Sequence, residues 1–259
     1  MTTSVAIVGA SGRMGQLIAR LIAESPDFEL LASLDSRSPL ENMLVADLVV
    51  DVTVPAVSQG IVEFAVGHGK NVLVGTSGWS ATRIASLKTR LTAEATGAAV
   101  IIIPNFSIGS VLATSFAAMA ARFYDSIEII EAHHATKVDS PSGTAVRTAE
   151  LIGNARAVKG PVIAPHADQR ARGQQVSSVP IHSLRMQGIV AKQDVIFGGT
   201  GETLTLSHET LDPSAYEAGI KLALHALGSA TGVVVGLDRL IQLGPADPEP
   251  PSGIPSDLE

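Results

Sequence analysis

The stretch VAIVGASGRMG, residues 5–15, decides the fold. Ser4–Val8 is short and apolar enough to be a buried strand, Gly9, Gly12 and Gly15 follow as a turn, and Met14, Leu17, Ile18, Leu21 and Ile22 recur at helical spacing. Strand, glycine turn and helix in that order start a parallel α/β sheet. Glycine permits positive φ and lets backbone N–H groups approach an anion at the positive end of the helix. The spacing is G-x-x-G-x-x-G rather than G-x-G-x-x-G, and close packing of strand on helix also selects glycine.

Downstream the alternation continues. Strands are predicted at 29–34, 47–52, 71–74 and 99–103, separated by a short helix near 40–45 and helices at 57–67 and 82–95. Such a series calls for a Rossmann-type, doubly wound parallel sheet covered on both faces. The pattern then changes. A helix at 108–123, a strand at 126–132, a helix near 144–152 and the runs VSSVPIHSLRM, VAKQDVIFGG and ETLTLSHE, joined by glycine turns, predict a second, α+β domain with a mostly antiparallel sheet. A last helix, 216–229, and the run 232–243 are expected to return to the first domain, Pro213 marking the boundary. The expected organisation is therefore a dinucleotide-binding domain at 1–106 completed by 213–244, and a substrate-binding and oligomerisation domain at 107–212. The Pro-rich acidic tail, 245–259, has five prolines and four acidic residues but no basic one, and is expected to be disordered.

Composition removes several functional classes. Of the 259 residues 46% are hydrophobic, as a globular core requires, and the absence of cysteine excludes a disulfide framework, thiolate-bound metal and a cysteine nucleophile. A net charge of −7, 3% aromatics and singly scattered basic residues argue against nucleic acid. No membrane span or signal peptide is evident, so the expected location is cytoplasmic.

Two stretches carry the chemistry. Asp35 stands at the end of the second strand, about 20 residues beyond the glycines, where a carboxylate accepts both hydroxyls of an adenosine ribose. That favours NADH, although the Arg37 guanidinium two residues on could pair with a 2′-phosphate and admit NADPH. EAHHATKVDSPSGTA, residues 131–145, concentrates the titratable groups. Histidine exchanges its proton near neutral pH, and Lys137 adds a cation that binds a carboxylate or delivers a proton. The DSPSGT segment opens a helix whose N–H groups at Ser142, Gly143 and Thr144 are expected to face an anion. Adjacent strand residues face opposite ways, so one of His133 and His134 could be a plain surface histidine. No histidine spacing suits a metal, and no metal is expected.

These motifs, with VDVTVPA at 50–56, VGTSGW at 74–79, PNFSIG at 104–109 and VIFGGTGETLTLSHET at 195–210, closely resemble the 4-hydroxy-tetrahydrodipicolinate reductase family of lysine and diaminopimelate biosynthesis, over about residues 5–243. The resemblance implies a nicotinamide cofactor, NADH or NADPH, held by Gly9, Ala10, Ser11, Gly12, Arg13, Met14, Asp35, Gly75, Thr76, Ser77, Ile103, Pro104, Asn105 and Phe106. It implies His133 as proton donor and acceptor, Lys137 as a second donor, and His134, Gly143 and Thr144 as ligands of a dicarboxylate substrate, to which the helix start adds Ser142. It also implies a homotetramer, for which the apolar strands VIFGG and TLTLS offer a surface. The chain departs from the family pattern at Thr76-Ser77-Gly78-Trp79 where GTTG-F is common, at Lys192 where histidine is expected, at Pro213 where arginine is expected, and in its Pro-rich acidic tail. Rival readings are another two-domain dehydrogenase of amino-acid metabolism and a non-catalytic NAD sensor.

Overall fold

Thr3–Val8 forms β1, and Arg13–Ala23 forms α1 directly after the glycine turn. There follow β2 (Phe28–Leu34), a 3-10 turn at Leu40–Val45, β3 (Leu48–Asp51), α2 (Pro55–Gly67), β4 (Asn71–Val74), α3 (Ala81–Glu94) and β5 (Val100–Ile102). The chain then builds α4 (Ile108–Ala120), β6 (Ser126–His133), α5 (Gly143–Ala155), β7 (Gln174–Val176), β8 (Val179–Arg185), β9 (Ala191–Gly199) and β10 (Glu202–Thr210). It closes with α6 (Glu217–Leu227) and β11 (Val233–Val235). The computed structural model describes residues 2–241; the acidic tail at 245–259 lies outside the described residues.

Two sheets organise the molecule. The first has six parallel strands in the order β11-β5-β4-β3-β1-β2, so the sheet reverses its winding between β1 and β3 and opens a crevice at their C-terminal ends. Central strands of such a sheet are apolar on both faces because helices cover both. Val5, Ile7, Val50, Leu73 and Ile101 pack on Ile18, Leu21 and Ile22 of α1 and on Ile220, Leu224 and Leu227 of α6. On the opposite face Ala6, Val8, Val49, Val72 and Ile102 pack on Ile61, Val62 and Val66 of α2 and on Leu87 of α3. In the last segment, α6 joins this core and β11 extends the sheet beside β5.

The second sheet, order β10-β9-β6-β8-β7, is antiparallel except at β6 and β8, which run parallel. Ile127, Ile129, Ile181, Val195 and Phe197 point from it onto α4 and α5. Towards one end of the strands this inner face becomes polar. His208, Gln193 and Glu131 stand in one cross-strand row, and Thr210, Ala191, His133 and Arg185 in the next. Several titratable side chains gather there.

Three expectations change. VSSVPIHSLRM is a hairpin rather than one strand, because Ser177 and Ser178 turn the chain at φ 49° and 68° without any glycine. VIFGG offers no exposed apolar face: Val195 and Phe197 are buried against the helices. The exposed apolar cluster is instead Phe116, Met119 and Phe123 beside the half-buried Leu204 and Leu206. The helix expected to run to Phe123 ends at Ala120, which leaves Phe123 73% exposed. Among the described residues no helix is long and apolar enough to cross a membrane.

Candidate active site

Two cavities meet the C-terminal edge of the first sheet. The smaller, about 470 Å³, is lined by Ala10, Ser11, Asp35 and Ser38. The larger, about 740 Å³, runs from Arg13, Met14, Gly75, Pro104, Asn105 and Phe106 across to His133, His134, Lys137, Ser142 and Thr144 of the second sheet's polar end. Residues expected to hold a cofactor and residues expected to hold a substrate thus share one cavity.

The glycine turn divides its tasks. Gly9 has φ 91°, and a Cβ there would lie 2.6 Å from the Val52 carbonyl oxygen; at Gly15 it would lie 2.3 Å from the Gly9 carbonyl oxygen. These two glycines serve close packing. At Gly12 a Cβ would meet only the Gly9 oxygen, at 3.3 Å, and Gly12 is the N-cap of α1 with no side-chain cap. The first N–H groups of α1 therefore remain for an anion, and the turn fits a pyrophosphate. Asp35 is tied locally: Oδ1 accepts from the Arg37 backbone N–H at 2.9 Å and the Ser38 hydroxyl at 3.1 Å, and Oδ2 accepts from the Arg37 guanidinium at 3.3 Å. Those bonds, the backbone one foremost, hold its carboxyl below the usual range. Thr76 and Ile103 are buried, the former turned towards the Asp51 carbonyl and the latter into the core, so only their backbone can face a ligand.

β6 ends at His133, and that ending resolves the two histidines. The Lys137 N–H donates to the His134 carbonyl at 3.1 Å, so His134 begins a turn and no longer obeys strand alternation. Both rings line the larger cavity. His134 Nδ1 lies 2.8 Å from the Thr136 hydroxyl, and His133 Nδ1 lies 2.6 Å from Glu131 Oε2. Burial lowers the His133 pKa; the Glu131 carboxylate opposes this incompletely, and the charges of Lys137 and Arg185 add to the lowering. Lys137 Nζ donates to both Asp139 oxygens, at 2.7 and 2.8 Å. That contact, first among several causes, holds the Asp139 carboxyl low.

The start of α5 departs from expectation at Ser142. Its backbone N–H donates to Glu131 Oε1 at 3.1 Å and its Oγ caps the helix by accepting from the Ala145 N–H at 3.2 Å. A fully buried carboxylate requires donors, and Ser142 supplies one. Only Gly143 and Thr144 then present free first-turn N–H groups, with the Ser142 hydroxyl proton beside them.

Sequence reasoning passed over three groups here, Glu131, Arg185 and His208, and gave Asn105 only a cofactor contact. Glu131 and Arg185 form a bidentate pair, both contacts at 2.9 Å. Asn105 donates to Ser110 Oγ at 3.0 Å and Thr144 Oγ1 at 3.4 Å, tying the turn after β5 to α5. His208 Nε2 lies 3.1 Å from the Ser107 hydroxyl at the crossing between the sheets. Period-two alternation along β10, which puts Leu204, Leu206 and His208 on one face, was the signal available for it.

A Rossmann-type sheet whose crevice opens onto a histidine, a lysine and a helix N-terminus has the make-up of a dinucleotide-dependent oxidoreductase. Family models narrow this. Residues 3–106 match "Dihydrodipicolinate reductase, N-terminus" and residues 109–241 match "Dihydrodipicolinate reductase, C-terminus". The chain is 70% identical over 243 residues to 4-hydroxy-tetrahydrodipicolinate reductase of Clavibacter michiganensis subsp. michiganensis, covering 94% of this chain and 87% of that one. It is 43% identical to the enzyme of the same name from Nocardia farcinica, over 94% of this chain and all of that one. Among solved structures, dipicolinate-bound dihydrodipicolinate reductase from Paenisporosarcina sp. TG-14 superposes with a TM-score of 0.78 at 28% identity, covering 93% and 100% of the two chains. The chain belongs to the dihydrodipicolinate reductase family. An amine dehydrogenase from Mycobacterium smegmatis, TM-score 0.62 at 12% identity over 94% and 97% of the chains, shares the fold.

Proposed function

We propose that the protein reduces 4-hydroxy-tetrahydrodipicolinate with NAD(P)H and a proton, giving tetrahydrodipicolinate, NAD(P)+ and water. The observation that carries this reading is the single cavity joining Met14, Pro104, Asn105 and Phe106 to His133, Lys137 and the start of α5. Gly12 and the N-terminus of α1 would hold the pyrophosphate, Asp35 the adenosine ribose, and the turns at 75–77 and 103–106 the nicotinamide end. A reduced nicotinamide supplies the hydride. One substrate carboxylate sits on the N–H groups of Gly143 and Thr144, Lys137 and His134 neutralise charge, and His133 delivers a proton to the carbon that gathers negative charge. The freshly made condensation product of pyruvate and aspartate semialdehyde tests this, with loss of reduced-nicotinamide absorbance expected; cofactor binding without oxidation would favour a sensor instead.

The same reading makes 1–106 with 213–244 the dinucleotide-binding domain and 107–212 the substrate-binding and assembly domain. NADH is favoured because Asp35 can exchange its Arg37 guanidinium contact for ribose hydroxyls at little cost: the Arg37 side chain is 89% exposed, and exposed ion pairs contribute little. A kcat/KM tenfold higher with NADPH than with NADH overturns the preference. Lys137→Ala is expected to lower kcat and raise KM, each by about tenfold, because it removes a charge-assisted donor and leaves Asp139 unpaired beside the substrate. A change confined to thermal stability would make the lysine structural. The apolar cluster of Phe116, Met119 and Phe123, with the free edge of β10, supports a homotetramer, for which a monomeric mass in solution would be decisive against.

A further inference from the structure

Glu131 is 0% exposed and both its oxygens are filled. Oε1 accepts from the Ser142 backbone N–H at 3.1 Å and from Arg185 Nη2 at 2.9 Å; Oε2 accepts from Arg185 Nη1 at 2.9 Å and faces His133 Nδ1 at 2.6 Å. Arg185 is itself anchored to the Asp139 and Leu184 carbonyls, both at 2.6 Å. Strand register brings these groups together: Glu131 and His133 share the inner face of β6, and Arg185 is the cross-strand partner of His133 on β8. One carboxylate thus contacts the ring that faces the cavity and the N-cap residue of the helix whose first N–H groups are free.

We propose that Glu131, held by Arg185, is the positioning residue for both halves of the chemistry: it fixes His133 with Nδ1 protonated and Nε2 towards the cavity, and it pins the start of α5 through Ser142. The inference rests on the reaction proposed above for its catalytic consequence, but not for the geometry. Burial alone would raise the Glu131 pKa, yet its donors, Arg185 foremost, hold it below the usual carboxylate range; an ionised carboxylate can only accept, so the ring nitrogen facing it must carry the proton. Two opposed charges then act on the imidazole. Glu131 favours the imidazolium and Arg185 disfavours it. The other groups that bear on His133 are Lys137 with its partner Asp139, and His134, Lys192, His208 and Arg13 around the same cavity; its partner on β9 is the neutral Ala191.

Glu131→Gln is expected to cut kcat about tenfold or more and to weaken binding of dipicolinate, a planar dicarboxylate probe, because either orientation of the amide sets an NH2 against an Arg185 donor. The His133 limb of the pH–rate profile should move to lower pH in Glu131→Gln and to higher pH in Arg185→Met, with Arg185→Lys lying near the parent and the dissociation constant for NADH unchanged in all three. Limbs that move in the same direction in the first two variants, or not at all, overturn the proposal. Nitrogen-15 spectra of the wild-type imidazole provide a check that needs neither turnover nor a folded variant: neutral His133 should be protonated at Nδ1 with Nε2 bare. Neutral His133 protonated at Nε2 overturns it regardless of the reaction.

Discussion

His133→Gln is expected to lower kcat about 10²-fold while leaving NADH binding unchanged, the range general acid catalysis contributes. Glutamine approximates the reach of the ring but cannot give up a proton near neutral pH, and the residues proposed to hold the cofactor lie at the edge of the other sheet. The lowered pKa of the free ring has a further consequence. If the protonated ring is the working form, kcat/KM declines as pH rises through a value below that of ordinary histidine. A bound dicarboxylate brings negative charge to the ring and raises its pKa, so kcat should decline at higher pH than kcat/KM does. Steady-state rates across pH with saturating NADH check both points; unchanged kcat in the variant would remove His133 from its role.

Gly219→Ala is expected to lower Tm by roughly 4–8 °C and to weaken NADH binding. A Cβ at Gly219 would lie 1.9 Å from the Phe106 carbonyl oxygen and 3.0 Å from a Leu237 methyl carbon. Alanine normally improves a helix by about 1 kcal/mol over glycine, but overpacking against backbone costs about 1–3 kcal/mol or more, and a backbone oxygen cannot swing aside as a side chain does. With the cost at about 3 kcal/mol the net loss is about 2 kcal/mol, which at roughly 2–4 °C per kcal/mol for a chain of this size gives the stated range. Phe106 transmits the disturbance. A Cβ at Gly75 would lie only 2.8 Å from its ring, so α6, Phe106 and the turn after β4 form one stack, and displacing Phe106 disturbs two turns proposed to hold the nicotinamide. Calorimetry and a cofactor titration measure the two effects; an unchanged melting temperature would show that α6 can shift freely over this turn.

Local signals carried far in this chain. Apolar β-branched runs alternating with helical periodicity specify a parallel sheet because only burial on both faces makes such strands stable, and the glycines at 9 and 15 mark the turn because a Cβ at either would run into backbone. EAHHATKVDSPSGTA likewise declares an acid, a cation and a helix start within one short segment. The glycine-free turn at Ser177 and Ser178 was invisible for the same reason: without glycine, asparagine or aspartate, nothing local announces positive φ.

What the sequence determined by itself, then, was the architecture of the first sheet, the family and the His133–Thr144 constellation, because each rests on residues close together along the chain. Tertiary structure alone decided which partners surround that constellation. Arg185 is 52 positions from His133 in sequence and Gln193 is 62 from Glu131, yet pairing of β8 and β9 on either side of β6 makes them neighbours. A parallel pairing of β6 with β8 could not be read from strands that otherwise suggest an antiparallel sheet, and sliding any strand by one residue would move its polar groups to the opposite face. The register of the sheet is a non-local outcome of packing α4 and α5 on one face, and with it came the carboxylate that orients His133.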